Sequence, residues 1–326
     1  MNLNPKIVLL PEPKEVFLDK TKFIKPKTLK CKGLKDKRIE NALKLLCFAQ
    51  DAKENIKMEI SIDKKHLPQS YEIKIRKDKD GIIYVKAGDR AGAFHAIQTL
   101  RQILHTNNSK IPCGTIKDVP DYQVRGFYHD VTRGKVPKLE TLKALVDKMA
   151  FYKLNQLQLY IEHTFEYMNH PDIWAGSDPL SHQDILELDK YCEERFIELV
   201  PSFSTFGHFY TAICCPRKSH LNELQIDASK KFFSFWDRMQ HYTLDCSNSA
   251  SIEPIEEIIM ETAPLFKSKY YNICCDETFD LGRGKNAAKA KSSGTIRLYV
   301  NFLKKIMNIV KRAGKIPMLW GDIINA

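Results

Sequence analysis

Ile56, Met58, Ile60 and Ile62 alternate with polar residues, the period of a half-buried strand. Tyr71-Ile73-Ile75 and Ile82-Tyr84 flank Asp80-Gly81, a pattern that predicts a hairpin. A helix should follow, because Asp89 suits an N-cap and Ala93, Ile97, Leu100 and Leu104 form an apolar stripe. Strands feeding one helix read as a small α+β domain over residues 1–118. Val119-Pro120-Asp121 reads as the linker to a second domain, 119–326.

After the linker the rhythm becomes strand, helix, strand, helix. Strands are predicted at Val124–Val131, Gln156–Ile161, Ile197–Phe203, Tyr270–Cys275 and Ile316–Trp320. Between them lie helical stripes: Leu139, Leu142, Leu145 and Met149; Ile185, Leu188 and Cys192; Ile255, Ile258 and Ile259; Ile296, Val300, Leu303, Ile306 and Val310. Ser181-x-x-Asp184 has capping-box spacing, and Gly314 suits a helix stop. This alternation implies a parallel sheet with right-handed crossovers, either doubly wound or a (β/α)8 TIM-type barrel. No G-x-G-x-x-G follows the first of these strands, which weakens a dinucleotide-binding reading.

The 326 residues carry 51 Lys+Arg and 40 Asp+Glu, a formal charge of +11. The positive charge is scattered and densest at Lys25–Arg38, mixed with Leu and Pro, which reads as a solvated face rather than a nucleic-acid surface. No apolar run approaches the roughly 18 residues a membrane span needs, and Ile7–Leu10 falls short of a secretory core of about 7–15. The nine cysteines form no C-x-x-C, so neither a disulfide framework nor a zinc spacing is legible. A cytoplasmic protein with reduced thiols, no cofactor and no metal is expected; the oligomeric state is open.

Chemistry gathers at the predicted strand ends. Asp130 ends the first, Glu162 and His163 the second, Ser204–His208 follow the third, Asp276 and Glu277 end the fourth, and Trp320 and Asp322 the fifth. In a barrel these ends share one mouth, where active sites sit. Asp276-Glu277 taken alone reads most simply as a helix cap with an acid in the first turn. Five consecutive polar strand ends reverse that preference. Adjacent carboxylates repel, so one would hold its proton near neutral pH, as a general acid requires.

The ordered motifs carry a resemblance. Arg125–Glu162 (RGFYHDVTRGKVPKLETLKALVDKMAFYKLNQLQLYIE), Ala87–Leu104 and CDETF at Cys275–Phe279 resemble glycoside hydrolase family 20, the β-N-acetylhexosaminidases. EHTFEY, FSTFGH and DETFDLG are similar to a cytoplasmic-type branch. The resemblance implies a small α+β domain followed by a catalytic barrel. It implies a retaining exo-glycosidase in which the substrate's 2-acetamido carbonyl is the nucleophile. Glu277 would be the acid/base and Asp276 would orient the acetamido N–H. Arg125 would grip sugar hydroxyls, His208 would sit near the two acids, and Trp320 would wall the acetamido methyl.

The sequence departs from the family where many members carry Asp-Asp after strand two and this chain has His163-Thr164. His163 is read as a sugar contact or a structural histidine, and Glu162 as a sugar contact or an ion-pair partner. Asp130 is expected to orient Arg133. Five barrel strands are legible instead of eight, so a C-terminally truncated barrel is expected. The alternative function is a catalytically incomplete carbohydrate-binding fragment. Gly282-x-Gly284-Lys285 lacks the P-loop spacing and reads as a loop at the barrel mouth.

Overall fold

The computed structural model describes residues 7–321 except 53, 79–80, 233 and 237–241, and all but the side chain at 20. Asp80 and Asp322 therefore lie outside the described residues. The chain forms two compact units, one of residues up to Gly126 with Lys143–Asn155 and Cys192–Ile197, the other of the remainder.

The first unit holds six strands: β1 (Glu15–Ile24), β2 (Pro26–Gly33), β3 (Glu54–Ile62), β4 (Tyr71–Lys77), β5 (Gly81–Ala87) and β6 (Ile111–Asp118). Their order is β1-β6-β4-β5-β3-β2. The predicted hairpin is present, running from Tyr71 opposite Ala87 to Lys77 opposite Gly81. Ile56, Met58, Ile60, Ile73, Ile75, Ile83 and Val85 are buried on one face. Helix Arg90–Thr106 covers them with Ala93, Phe94, Ile97, Leu100 and Ile103. Asp89 caps this helix by accepting from the Gly92 N–H at 2.8 Å. The basic run forms β2 and the start of helix Lys37–Lys44. β2 is an edge strand and its lysines face solvent, which discourages pairing with other chains.

The second unit carries β7 (Gly126–Asp130), β8 (Gln156–Ile161), β9 (Glu198–Phe203), β10 (Tyr270–Asn272) and β11 (Ile316–Met318), neighbours in chain order. β8 through β11 pair in parallel. Among the described residues this is an incomplete (β/α) barrel of five strands, with β7 and β11 at its edges. The predicted stripes lie on helices Leu139–Phe151, His182–Glu193, Glu253–Thr262 and Thr295–Arg312. The Ser181–Asp184 capping box is closed in both directions, at 2.9 and 3.1 Å. No described helix is long and apolar enough to cross a membrane.

The fourth barrel strand ends three residues earlier than the apolar pattern predicts. The Asn272 side chain accepts the Cys274 N–H at 2.9 Å, and Cys274 and Cys275 take φ of 58° and 63°, outside strand geometry. The fifth strand likewise stops at Met318. The glycine-rich loop also has a definite role. Gly282, Gly284 and Asn286 point their backbone N–H groups at Glu223 Oε1, at 3.2, 3.4 and 3.0 Å. The loop thus binds an anion, but the anion is a fully buried carboxylate of the chain itself.

Candidate active site

His208 is the hub of the second unit's polar cluster, with 2% of its side chain exposed. Its Nε2 lies 3.2 Å from Glu277 Oε2 and 3.7 Å from Asp276 Oδ2. Its Nδ1 lies 3.5 Å from Arg133 Nη2 and 4.0 Å from Glu162 Oε1. Burial opposes a charge on this imidazole, but the nearby carboxylates of Asp276 and Glu162 outweigh it, and the pKa is raised above the ordinary 6.5.

Behind His208 runs a chain of charge-assisted contacts. Arg133 donates to Asp130 Oδ2 at 2.8 Å, lies 3.1 Å from Glu162 Oε1, and sits 4.9 Å over the Tyr160 ring. Tyr160 donates its hydroxyl to Glu162 at 2.9 Å, and the Thr132 hydroxyl accepts the Glu162 N–H at 3.0 Å. Asp130 therefore orients Arg133, as the sequence suggests. Glu162, 4% exposed, is an ion-pair partner. His163 stands beside it, Nδ1 4.0 Å from Glu162 Oε2. A void of about 10 Å³ is lined by Glu162, His163, Ser204 and His208 among others, room for about one water and not for a sugar ring.

The acids stand on a strained segment. His208, Cys274, Cys275 and Glu277 all have φ between 48° and 63°, a region that costs a non-glycine residue about 1–3 kcal/mol. Tertiary bonds hold the segment there. Thr205 Oγ1 donates to Ile273 O at 2.6 Å, Tyr299 OH to Cys275 O at 2.8 Å, and the Trp320 N–H to Cys274 O at 3.1 Å. Gly207 supplies the close approach: a Cβ there would come within 2.5 Å of Asp276 O. The roles of Gly207 and Tyr299 escaped the sequence reading. A glycine wedged before His208 in STFGH was the available signal for the first; the tyrosine gave none.

The second unit thus joins His208, Asp276, Glu277 and Glu162 directly, and His163 through Glu162. Trp320 joins by its backbone, its ring edge-on to Tyr128 at 4.9 Å and 38% exposed. Arg125 belongs to the first unit. There its guanidinium donates to Lys153 O, Tyr122 O and Gln69 Oε1, at 2.9, 2.8 and 2.8 Å. Among the described residues, His208, Asp276 and Glu277 are one group whose ligand atoms lie within 4.8 Å of one another, close enough to share a cation.

Residues 122–326 match the model of the glycosyl hydrolase family 20 catalytic domain, and residues 8–119 that of the same family's domain 2. The chain belongs to glycosyl hydrolase family 20. Among curated family 20 relatives, beta-hexosaminidase B of Pseudoalteromonas piscicida is 24% identical over 98% of this chain and 48% of its own length. Beta-hexosaminidase subunit A1 of Dictyostelium discoideum is 27% identical over 65% of this chain and 40% of its own. The chain spans about half the length of such relatives. The fold matches the exo beta-N-acetylglucosaminidase of Vibrio harveyi in complex with N-acetylglucosamine, with TM-score 0.77 at 20% identity, covering 96% of this chain and 54% of that one. It equally matches the beta-N-acetylhexosaminidase of Streptomyces coelicolor, with TM-score 0.77 at 20% identity, covering 97% and 67%.

Proposed function

We propose that this family 20 chain carries the acid/base site of a retaining exo-glycosidase that removes terminal β-linked N-acetylhexosamine. The observation that carries the reading is the pairing of two acids with different surroundings on one strained turn. Asp276 Oδ1 is buried and makes no hydrogen bond within the chain. Glu277, 41% exposed, faces outward beside His208. A buried acceptor left open costs free energy unless a ligand satisfies it, and an acetamido N–H is such a ligand.

In this reading Asp276 takes that N–H and turns the acetamido carbonyl onto the anomeric carbon. Glu277 gives its proton to the glycosidic oxygen as the bond breaks. The carbonyl oxygen closes an oxazolinium ring, and Glu277 then draws a proton from the water that opens it. The protein supplies no nucleophile, which sets this scheme apart from the usual pair of catalytic carboxylates. Arg133 and Glu162 hold His208 against the acids. His163 offers a ring nitrogen to a sugar hydroxyl, and Trp320 offers a face to the acetamido methyl. The internal void is too small for a pyranose, so the sugar lies on the open side, toward Glu277 and Trp320. Nine cysteines outside any disulfide suit a reducing compartment such as the cytoplasm.

A second reading, carbohydrate binding without turnover, is favoured by the sheet itself, whose outer strands β7 and β11 have no further described neighbour. A half-enclosed site lacks much of the preorganised electrostatics on which catalysis depends. Release of nitrophenol from 4-nitrophenyl N-acetyl-β-glucosaminide by the purified chain, abolished in Glu277→Gln, supports the hydrolase. Saturable sugar binding with no release supports the second reading, and neither outcome sinks both.

A further inference from the structure

The acids and His208 also have the spacing of a metal site. A tetrahedral zinc site with bonds of about 2.0–2.2 Å sets its donor atoms about 3.3–3.5 Å apart. His208 Nε2 stands 3.2 Å from Glu277 Oε2 and 3.7 Å from Asp276 Oδ2. Two buried atoms of the cluster, His208 Nε2 and Asp276 Oδ1, make no hydrogen bond. Asp130 and Glu162 pair with Arg133, and Asp276 and Glu277 with His208, so four carboxylates are linked to one guanidinium and one imidazole, an excess of negative charge. We propose that His208 Nε2, Asp276 and Glu277 form a three-ligand site for a divalent transition metal of the zinc class, with the fourth position open to solvent. Nitrogen and carboxylate donors in this number suit zinc or cobalt better than magnesium or calcium, which take oxygen shells of six or more.

Binding moves a proton. The metal displaces any proton on Nε2, while Nδ1 keeps its place 3.5 Å from Arg133 Nη2, which can only donate, and 4.0 Å from Glu162 Oε1. Glu162 acts on this ligand through Arg133, holding at 3.1 Å the guanidinium that stands behind the imidazole, and outer partners of that kind fix a ligand's orientation. Since the metal occupies both acids, metal and sugar exclude one another. That exclusion rests on the hydrolase reading, whereas the site itself does not.

The test is a titration of Co2+ into the purified chain carrying Cys31→Ser and Cys47→Ser, which removes the two exposed thiols. One equivalent should bind with tetrahedral visible absorption and no thiolate charge-transfer band, and Zn2+ should displace it. Asp276→Asn and His208→Ala should each weaken binding by more than tenfold. Glu162→Gln should weaken it about 10–100-fold, the usual effect of losing an outer partner. If His208→Ala fails to fold, Asp276→Asn and Glu277→Gln decide. Absent binding at millimolar metal, undiminished binding in these variants, or a thiolate band would overturn the site. Metal binding lost in the variants but indifferent to N-acetylglucosamine would overturn the exclusion and count against the sugar reading, while leaving the metal site standing.

Discussion

Replacing Arg133 with Met removes the one cation in contact with both Asp130 and Glu162 while keeping much of the side chain's volume. The two carboxylates respond differently. Asp130 is 34% exposed, so its 2.8 Å pair is worth about 0–1 kcal/mol. Glu162 is 4% exposed, and losing a guanidinium at 3.1 Å weakens the pairing of a buried charge, which costs about 3–5 kcal/mol. The contact of Arg133 with the Tyr160 ring at 4.9 Å adds about 0.5–1 kcal/mol. The Glu162 contribution therefore decides the outcome. Urea unfolding of Arg133→Met should show a loss near 3–5 kcal/mol, whereas Asp130→Asn should lose under about 1 kcal/mol. Adding Glu162→Gln to Arg133→Met should recover most of the loss, since the neutral amide still accepts from Tyr160. A loss under about 1 kcal/mol in the single variant, or no recovery in the double, would refute the reasoning.

Other outcomes follow from the same structure. Two histidines should give pH dependences of opposite sign. His208 has a raised pKa, so its contribution is full below pH 6.5 and is lost as pH rises through the folded value; the gap between parent and His208→Asn narrows along that path. His95 is pulled down to about 3, by burial first and by Arg125 and Lys153 next. Its contribution is present above pH 6.5 and fades as pH falls toward 3, at most about 4–5 kcal/mol; stability curves of His95→Gln between pH 3 and 7 measure it. Gly207→Ala must push Asp276 O away from a 2.5 Å overlap, so hydrolysis or sugar binding should fall at least about tenfold, read as a change in kcat or Kd. Cys31 and Cys47 are exposed, while Cys274 and Cys275 are buried with their thiols pushed up, Cys275 to about 12. Brief alkylation of the native chain followed by mass spectrometry should label the first two and spare the second two.

Much of this was legible in the residues. The alternation in Ile56–Ile62 and the stripe in Ala93–Leu104 are direct prints of a buried face, and both elements stand where the pattern puts them. β1 and β2 gave no reading, because lysines interrupt their alternation and an exposed edge strand needs little apolar content; β6, an interior strand, gave none because Pro112 and Gly114 interrupt its pattern. The fourth barrel strand was overextended for a different reason. Ile273, Cys274 and Cys275 are all at most 1% exposed, and apolar character reports burial, not extension. Tertiary bonds from Thr205, Tyr299 and Trp320 impose the turn. The acids at 276 and 277 and His208 were legible as chemistry at strand ends. The Arg133–Glu162–Tyr160 relay was not, since it depends on which side chains meet across neighbouring strands.

The central claim is that Asp276 and Glu277 act together on a 2-acetamido group. Its most direct test is calorimetric binding of a thiazoline analogue of the oxazolinium, derived from N-acetylglucosamine, to the parent chain and to Asp276→Asn. Tighter binding of the analogue than of N-acetylglucosamine, lost by at least about tenfold in the variant, is the result this account predicts. Equal affinity in parent and variant, or no preference for the analogue over glucose, would contradict it.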